Sequence, residues 1–277
     1  MTSSIVRLRL EPMIAPQPSH RLLEIRNLSR AFGGVKAVND VSFVVTAGRI
    51  HALIGPNGAG KTTLFNLVAG VVRPSAGQVL LDERDVTDLP TAERAQAGLQ
   101  RTFQNLQTFS ELTALESVMV GAHLRSEPSF LKALFNTPAI RQANAEARDR
   151  AEMLLQRVGL DTFRDSRSDA MPYGALKRLD IARALAAEPK LLLMDEPAAG
   201  LNPAETATMR DLIADIALQG VTVLLVEHDM KLVMSIAETI VVLDQGQKLA
   251  EGTPDEIRRS PEVIRAYLGG GIRRRRS

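Results

Sequence analysis

Residues 55–62 read GPNGAGKT and match the pattern G-x-x-x-x-G-K-[ST], which is typical of a loop that binds nucleotide phosphates. Glycines allow the backbone to curl so that several N–H groups point at phosphate oxygens. The Lys61 ammonium is predicted to reach the β and γ phosphates, and the Thr62 hydroxyl to hold Mg²⁺. The pattern therefore predicts a site for nucleotide phosphates and Mg²⁺. The residues of this loop predicted to contact the nucleotide are Gly55, Pro56, Asn57, Gly58, Ala59, Gly60, Lys61, Thr62 and Thr63.

Two adjacent carboxylates follow a second apolar segment. Asp195 and Glu196 come directly after residues 191–194 (LLLM), whose length and composition predict a buried strand. A carboxylate at the carboxyl end of a parallel strand lies at the sheet edge where ligands bind. Asp195 is therefore predicted to hold Mg²⁺, and Glu196 to polarise the water that attacks the γ-phosphate. The alternative interpretation is an acidic turn exposed to solvent.

A histidine ends a third apolar segment. Residues 221–226 (VTVLLV) lead into Glu227 and His228, so the imidazole can reach the same crevice and contact the γ-phosphate. A lone histidine is also compatible with a purely structural role. The chain has four histidines, and no two are spaced as a pair of metal ligands on one helix.

These residues must be positioned by strands and helices in a particular order. Residues 50–54 (IHALI) predict a strand before the glycine-rich loop, and residues 61–68 predict a helix after it. The runs 191–194 and 221–226 are continuously apolar, as parallel strands covered on both faces should be. Residues 205–218 predict the crossover helix between them. Residues 240–243 and 247–251 predict a hairpin around Gln245 and Gly246.

The remaining segments predict an α/β core that is interrupted by helices. Residues 22–28 and 41–45 predict strands. Residues 91–187 are mostly helical in pattern, most clearly over 142–158 and 178–187. Residues 254–268 predict a terminal helix. The core segments flank the helical insert in sequence and should meet in space.

Composition excludes several classes of protein. The net charge is only +2, which argues against a protein whose affinity for nucleic acid comes from a basic surface. The absence of cysteine excludes disulfides and thiolate metal sites and fits a reducing compartment. No apolar run reaches the roughly 18 to 20 residues that span a bilayer. The first residues lack the basic start and apolar core of a signal peptide.

The chain resembles the ATPase subunits of ABC transporters from about residue 22 to its end. Gln104, in the run RTFQN, stands at the Q-loop position, and His228 stands at the switch-histidine position. Residues 171–175 (MPYGA) occupy the signature position, and residues 199–202 (AGLN) occupy that of the D-loop. Phe32 stands where an aromatic residue stacks on adenine. The resemblance implies a P-loop NTPase of the α/β class with a mainly parallel sheet, an antiparallel β subdomain and a helical insert.

The resemblance also implies roles for residues that the phosphate loop alone does not identify. Gln104 would join Thr62 and Asp195 around Mg²⁺, and would act in catalysis with Glu196 and His228. In this family two subunits pair head to tail, and each ATP lies between the phosphate loop of one and the signature of the other. Nucleotide contacts from the signature are therefore expected from Tyr173 and Gly174.

The signature departs from the common sequence L-S-G-G-Q. Pro172 replaces the serine, Tyr173 the first glycine and Ala175 the glutamine, so the usual serine contact to the γ-phosphate is absent. Gly174 and the N-terminus of the following helix remain as an anion site. The form P-Y-G followed by R-L-D-I-A-R-A-L resembles the branch that imports branched-chain and other hydrophobic amino acids. Residues 32–35, 101–105, 226–230 and 266–269 resemble the same branch.

This branch implies an ATP-hydrolysing subunit that powers amino-acid import from the cytoplasmic face of the plasma membrane. Its partners would be a second ATPase subunit, identical or different, the transmembrane permease subunits and, indirectly, a periplasmic or extracellular solute-binding protein. No nucleic acid is expected as a partner. The alternatives are a transporter ATPase for urea, an amide or another small solute, a soluble ABC ATPase acting on nucleic acid or ribosomes, and a regulatory binder without turnover.

The sequence divides into a flexible arm over residues 1–21, an ATPase domain over 22–268 and a basic tail over 269–277, with the helical insert at about 91–187. Residues 104–120 follow the Q-loop and are a candidate surface for docking to a membrane partner. Their apolar side chains are equally compatible with an ordinary core. The arginines at 273–276 are either solvated or in contact with anionic lipid headgroups. The apolar residues of the candidate surface are Leu106, Phe109, Leu112, Leu115 and Val118.

Overall fold

The computed structural model describes residues 20–102, 111–123 and 138–272. Within these ranges the chain forms ten strands and nine α-helices. The strands are β1 (Arg21–Phe32), β2 (Val35–Thr46), β3 (Ile50–Ile54), β4 (Ala76–Leu81), β5 (Arg84–Asp85), β6 (Leu99–Arg101), β7 (Leu191–Asp195), β8 (Thr222–Val226), β9 (Thr239–Asp244) and β10 (Gln247–Gly252). The helices are α1 (Lys61–Val68), α2 (Thr91–Gln96), α3 (Ala114–His123), α4 (Pro138–Arg157), α5 (Tyr173–Ala186), α6 (Pro203–Leu218), α7 (Met230–Ile236), α8 (Pro254–Arg259) and α9 (Pro261–Ile272).

The central sheet is six-stranded, with the order β10-β9-β3-β8-β7-β6. The strands from β9 to β6 run parallel to their neighbours, and β10 pairs antiparallel with β9. The predicted parallel pairing of the two apolar strands is therefore confirmed, as is the hairpin. The bounds predicted for β3 and α1 are also those observed.

A second, antiparallel sheet has the order β2-β1-β4-β5. Strands β1 and β2 are joined by a two-residue turn in which Gly33 and Gly34 both have positive φ, the geometry that tight hairpin turns require. Both strands extend well beyond the predicted ranges 22–28 and 41–45. Polar, exposed residues and positive-φ irregularities at Asn27 and Asp40 interrupt the apolar alternation that marks a strand in sequence.

Helix α1 packs between the two sheets. Its buried residues join a cluster with apolar side chains of β1 and β2 and with one face of β7 and β8, including Leu191 and Leu224. The opposite face, including Leu192 and Val223, packs against α5 and α6. The parallel sheet is thus covered on both sides. This explains why polar and apolar residues do not alternate along its strands.

Arg94 anchors the far end of α1. Its side chain is almost completely buried, and its guanidinium donates to the carbonyls of Leu67, Val68, Thr87 and Leu89 at 2.6 to 3.0 Å. Two of these carbonyls belong to the last turn of α1, where a helix offers few backbone N–H partners. The arginine therefore ties this end of the helix to the segment that follows β5.

Two segments differ from the predicted pattern. Strand β6 lies inside the range 91–187 that the sequence predicts to be mainly helical, and it pairs with β7 at the sheet edge. Its three residues are too few to show a period. The prediction of a single helix over 254–268 is wrong in one respect. The segment forms two helices that meet at Ser260. Pro261 has no N–H to continue the first helix and starts the second.

None of the helices in the described ranges is long and apolar enough to cross a bilayer.

His51 should make the fold less stable in mild acid. Burial in β3 lowers the pKa of its imidazole from 6.5 to about 4, while its Nε2 accepts the Thr46 N–H at 3.0 Å. Between these two pKa values the unfolded chain binds a proton that the folded chain does not, so stability falls as the pH drops through this window. This histidine should lower the free energy of unfolding by about 2 kcal/mol between about pH 7 and about pH 5.

Urea unfolding of the wild type and of His51→Gln at both pH values would measure this contribution. The variant has no imidazole to protonate, so its stability should fall less on acidification. Identical pH dependence in the two proteins would contradict the assignment.

Candidate functional site

The candidate site lies at the carboxyl ends of β3, β7 and β8. Strand β3 leads into the glycine-rich loop, β7 ends at Asp195, and β8 is followed by Glu227 and His228. The register pairs Asp195 with Val226, and Val226 with Leu53. The structure therefore brings together, at one sheet edge, the loop and the polar residues predicted from three separate parts of the sequence.

Neighbouring backbone leaves no room for side chains at two loop positions. A Cβ at Gly55 would lie 2.2 Å from the Leu243 carbonyl oxygen, and one at Gly60 would lie 2.3 Å from the Ala37 carbonyl oxygen. The loop is also bound to the β9–β10 turn, because the Gly246 N–H donates to the Ala59 carbonyl at 3.0 Å. The antiparallel sheet and this turn thus hold the loop in place from two sides.

Lys61 lies within the curl of the loop. Its Nζ donates to the carbonyls of Gly55 and Pro56 at 2.7 and 3.0 Å, and its side chain is buried. Burial lowers the pKa of the ammonium, and the negative charges of Glu196 and Asp195 oppose this effect. This buried ammonium now donates to two neutral carbonyls. Anionic phosphate oxygens would be stronger acceptors for the same N–H groups.

The carboxylate of Asp195 is almost completely buried and is bound by an arginine. Arg101 at the end of β6 donates through one guanidinium nitrogen to Asp195 Oδ2 at 2.7 Å. Its other terminal nitrogen donates to Asn66 Oδ1 at 2.6 Å, and its guanidinium lies 5.7 Å from the centre of the Phe65 ring. Asn66 and Phe65 belong to α1, so this arginine connects that helix to the end of β7.

Glu196 and His228 form a pair across β7 and β8. His228 Nε2 lies 2.7 Å from Glu196 Oε1, and both side chains are partly exposed. Glu196 has φ of +50°, an uncommon backbone conformation for a residue other than glycine. Its N–H donates to the Val226 carbonyl at 2.9 Å, which holds the residue against β8. In this arrangement the imidazole contacts Glu196, whereas the sequence suggested a contact with phosphate.

Glu227 is a buried carboxylate that sequence analysis did not select. Its two oxygens accept the N–H of Ala198 at 2.8 Å and the N–H of His228 at 2.9 Å. It therefore fixes the backbone that follows Glu196 relative to the backbone that carries His228. Its position directly before the histidine was the only feature of the sequence that could have indicated it.

The signature segment contacts the residues that follow Glu196. Pro172 precedes α5, and Gly174 packs so closely on Glu205 that a Cβ would lie 2.6 Å from its Oε1. A Cβ at Gly200 would lie 3.1 Å from the ring of Tyr173. Within one chain, Tyr173 and Gly174 therefore face the D-loop segment and the start of α6. Tyr173 is also 48% exposed, which leaves its ring free to meet another molecule.

Lys177 joins the same two segments one helical turn later. Its Nζ donates to the Glu196 carbonyl at 3.0 Å and lies 5.6 Å from the centre of the Tyr173 ring. Its side chain is buried. Sequence analysis did not select this residue, because a lysine within a helix has no distinctive spacing.

The other predicted contacts lie at the borders of this region. Phe32 is 45% exposed at the end of β1, with the Arg30 guanidinium 4.7 Å from its ring centre. Thr62 is exposed on the first turn of α1, and Thr63 is half-buried. Gln104 lies outside the described residues.

The C-terminal helix reaches the phosphate loop through Tyr267. Burial raises the pKa of its phenol to about 12, and a hydrogen bond with the Gly55 backbone acts in the opposite direction. Residues 266–269 were selected only for their resemblance to one transporter branch. The structure adds that one of these residues lies beside the loop.

The candidate docking surface is partly corrected by the structure. Leu115 and Val118 are buried in the core, so the core interpretation is the correct one for both. Leu112 is half-buried. Leu106 and Phe109 lie outside the described residues, as does the basic stretch 273–276.

The polar groups at this sheet edge fit a magnesium ion that is shared with a nucleotide. Mg²⁺ prefers oxygen ligands and is usually bound by one or two carboxylates together with phosphates and water. The Thr62 hydroxyl and the Asp195 carboxylate provide such oxygens. Within the described ranges, no group of three or more histidine, cysteine, aspartate or glutamate residues could hold a metal ion. The donor set therefore fits an ion that phosphate oxygens help to hold.

Comparison with known protein families gives two matches. Residues 38–199 match the ABC transporter family, and residues 247–272 match the family described as branched-chain amino acid ATP-binding cassette transporter. The second match includes β10, α8 and α9, and thus Tyr267 beside the phosphate loop.

Individual proteins are similar over almost their full length. The chain is 46% identical over 252 residues to the high-affinity branched-chain amino acid transport ATP-binding protein BraF of Pseudomonas aeruginosa, covering 91% of this chain and 99% of that protein. The same identity and coverages hold for LivG of Salmonella typhimurium, which has the same description. The crystal structure of the ADP conformation of an ATP-binding cassette of an ABC transporter is similar with a TM-score of 0.78 and 29% identity, covering 90% of this chain and 99% of that one.

Proposed function

Because the chain belongs to the ABC transporter family, we propose that it is the ATP-hydrolysing subunit that powers import of branched-chain or other hydrophobic amino acids. One observation carries the hydrolytic part of this proposal. The phosphate loop, Asp195 and the Glu196–His228 pair meet at the same edge of the parallel sheet. The similarity to BraF and LivG over nine-tenths of the chain supports the cargo class.

The proposed reaction is attack of water on the γ-phosphate of ATP. The N–H groups of the loop and the Lys61 ammonium bind the phosphates and offset their negative charge. The Thr62 hydroxyl and the Asp195 carboxylate would hold Mg²⁺, which would supply positive charge against the phosphates. The Glu196 carboxylate accepts a hydrogen bond from the attacking water and directs its lone pair at phosphorus. His228, 2.7 Å away, keeps that carboxylate in position.

The site of one chain is proposed to be incomplete. Tyr173 lies against the D-loop segment of its own chain and Gly174 against the start of α6, and Tyr173 remains 48% exposed. A second ATPase subunit paired head to tail would place this surface against the nucleotide of its partner. The same pairing gives ATP a higher affinity for the closed dimer than for the open one, which is what ATP-driven closure requires.

The remaining parts of the transporter are proposed from family membership. Closure would move the helical insert against transmembrane permease subunits, with a solute-binding protein delivering cargo on the other side. The chain would then work as a peripheral subunit on the cytoplasmic face of the membrane. Phe32 is proposed to stack on adenine, and Gln104 to contact Mg²⁺ and the attacking water.

A second candidate cargo is a different small solute such as urea or an amide. A relative from Escherichia coli, 35% identical over 91% of this chain, is described as the ATP-binding protein of a lipopolysaccharide export system. Similar ATPase subunits can thus serve very different cargoes. The higher identity to BraF and LivG favours amino acids.

Mg²⁺-dependent ATP hydrolysis by the purified chain, measured over a range of protein concentrations, tests the enzymatic proposal. The specific rate should rise with protein concentration, because the site is completed only in a dimer. Lys61→Ala should abolish the rate by removing the phosphate-binding cation, and Glu196→Gln by removing the group that polarises water.

The result also distinguishes two forms of the proposal. A specific rate that increases with concentration would support self-association. Tight ATP binding without hydrolysis would mean that a different ATPase subunit must complete the site, or that Pro172 and Ala175 disable the signature. Absence of ATP binding would reject the proposed function.

A further inference from the structure

Arg101 contacts two parts of the candidate site, yet the proposed reaction gives it no role. Its guanidinium donates to Asp195 Oδ2 at 2.7 Å and to Asn66 Oδ1 at 2.6 Å. The first contact is at the end of β7, and the second is on the helix that begins at the phosphate loop. Arg101 is thus a rigid connection between the loop helix and the Mg²⁺-binding carboxylate.

Both charges of this ion pair lie where water has little access. The Asp195 side chain is 1% exposed and that of Arg101 is 18% exposed, so water screens neither charge well. A buried carboxylate that loses its ion-pair partner is costly, and it repels other anions nearby. A triphosphate is such an anion, and the phosphate loop lies at the same sheet edge as Asp195.

The position of the guanidinium is fixed by its neighbours. The N–H of Thr102, the next residue, donates to the Leu193 carbonyl at 2.9 Å and fixes the end of β6 against β7. The face of Phe65 lies 5.7 Å from the guanidinium carbon. Arg101 is therefore held in one geometry, and its two terminal nitrogens are directed at two different oxygen acceptors.

We propose that Arg101 is a positioning residue for ATP, which orients Asp195 and cancels its negative charge so that the triphosphate can bind before Mg²⁺ neutralises the site. This inference rests on the proposed function, because it assigns Asp195 to Mg²⁺ and the loop to ATP. It makes a specific claim about charge: Arg101 should matter most when Mg²⁺ is absent, and removal of the Asp195 charge should compensate for removal of the Arg101 charge.

A double-mutant cycle on ATP binding tests this claim. The dissociation constant of ATP is measured by calorimetry with excess EDTA and with saturating Mg²⁺, using the full chain with Glu196→Gln to prevent turnover. The cycle compares this parent with Arg101→Gln, Asp195→Asn and the combination of both. Arg101→Lys, which keeps the charge and loses the two-pronged geometry, is the matched control.

In EDTA, Arg101→Gln should weaken ATP binding by about tenfold, the size expected for coupling between groups in direct contact. With Mg²⁺ the loss should shrink to about threefold or less, because the cation takes over the neutralisation. Adding Asp195→Asn to Arg101→Gln should return the EDTA value to within about twofold of the parent, because the pair then has no net charge, as in the parent. Arg101→Lys should retain most of the affinity in EDTA.

Other outcomes would overturn the inference. Failure of Asp195→Asn to restore binding to Arg101→Gln in EDTA would mean that Arg101 acts through the fold and not by neutralising Asp195. No loss in EDTA would remove the charge role. If Arg101→Gln alone does not fold, the combined variant, which has no unpaired charge, is compared with the parent, and a loss of more than about threefold in EDTA rejects the proposal. A parent that binds no ATP with Mg²⁺ would reject the proposed function itself, whereas a binding parent without this pattern rejects only the role of Arg101.

Discussion

Replacing Glu196 by glutamine is expected to reduce kcat for ATP hydrolysis by at least about 100-fold while leaving ATP affinity within about twofold. The carboxylate is the partly exposed group at the end of β7, and it is held at 2.7 Å from His228. A positioned base of this kind contributes roughly 100- to 10,000-fold to proton-transfer steps. The amide keeps the size and one acceptor oxygen but is a much weaker base. It also lowers the negative charge near the γ-phosphate, so binding should not suffer.

The same substitution should trap a dimer in the presence of Mg-ATP, because ATP that is not hydrolysed keeps the composite site closed. Single-turnover hydrolysis gives the chemical rate, and light scattering gives the mass. Glu262→Gln, at an exposed position near the start of α9, is the matched control and should behave like the wild type. Rapid steady hydrolysis by Glu196→Gln would falsify its assignment as the group that polarises water.

Replacing Gly60 by alanine should lower the stability of the chain and abolish tight ATP binding. Gly60 has φ of +98°, and an added Cβ would lie 2.3 Å from the Ala37 carbonyl oxygen of β2. A positive φ costs a residue with a Cβ about 1 to 2 kcal/mol, and forcing the neighbouring backbone away costs about 1 to 3 kcal/mol more. Together these imply a loss of about 3 kcal/mol in the free energy of unfolding.

The loss of ATP affinity follows from the displaced N–H groups. Each hydrogen bond from the loop to a charged phosphate is worth about 1.5 to 3 kcal/mol, so misplacing two of them weakens binding by about 100-fold or more. Gly58→Ala is the matched control in the same loop, because its φ is also positive at +83° but nothing lies within 4 Å of the added Cβ. It should cost only about 1 kcal/mol. Equal effects of the two substitutions on urea unfolding and on ATP binding would show that the contact with Ala37 is unimportant.

The parts of the fold that carry strong local patterns were predictable from the sequence. Continuous apolar runs indicated β3, β7 and β8, and the glycine-rich loop between β3 and α1 indicated a strand, a phosphate loop and a helix. Two other features were not predictable, because no local pattern encodes them. Strand β6 has only three residues and is defined by its pairing with β7. The length of β1 and β2 depends on pairing with each other through bulges at polar residues.

The residues of the candidate site that occupy a defined position in a sequence motif could be predicted. Lys61, Asp195, Glu196 and His228 were all selected, and the structure brings them to one sheet edge. Arg101, Lys177 and Glu227 were not selected as functional. Their importance comes from contacts with residues 19 to 94 positions away, or with backbone atoms, and sequence spacing contains no information about either. The contact of His228 with Glu196 also required the structure.

The contacts of Lys177 and Tyr173 have a consequence for how two sites would communicate. Lys177 binds the carbonyl of Glu196, and Tyr173 packs beside Gly200, so the signature segment is attached to the segment that carries Glu196 in the same chain. In a head-to-tail pair, that signature would serve the ATP of the partner. A change at one γ-phosphate is therefore expected to shift the surface that holds the other nucleotide.

Hydrolysis should consequently show positive cooperativity in ATP. Lys177→Met should bring the dependence of the hydrolysis rate on ATP concentration closer to a simple hyperbola. An unchanged dependence would mean that the two sites act independently.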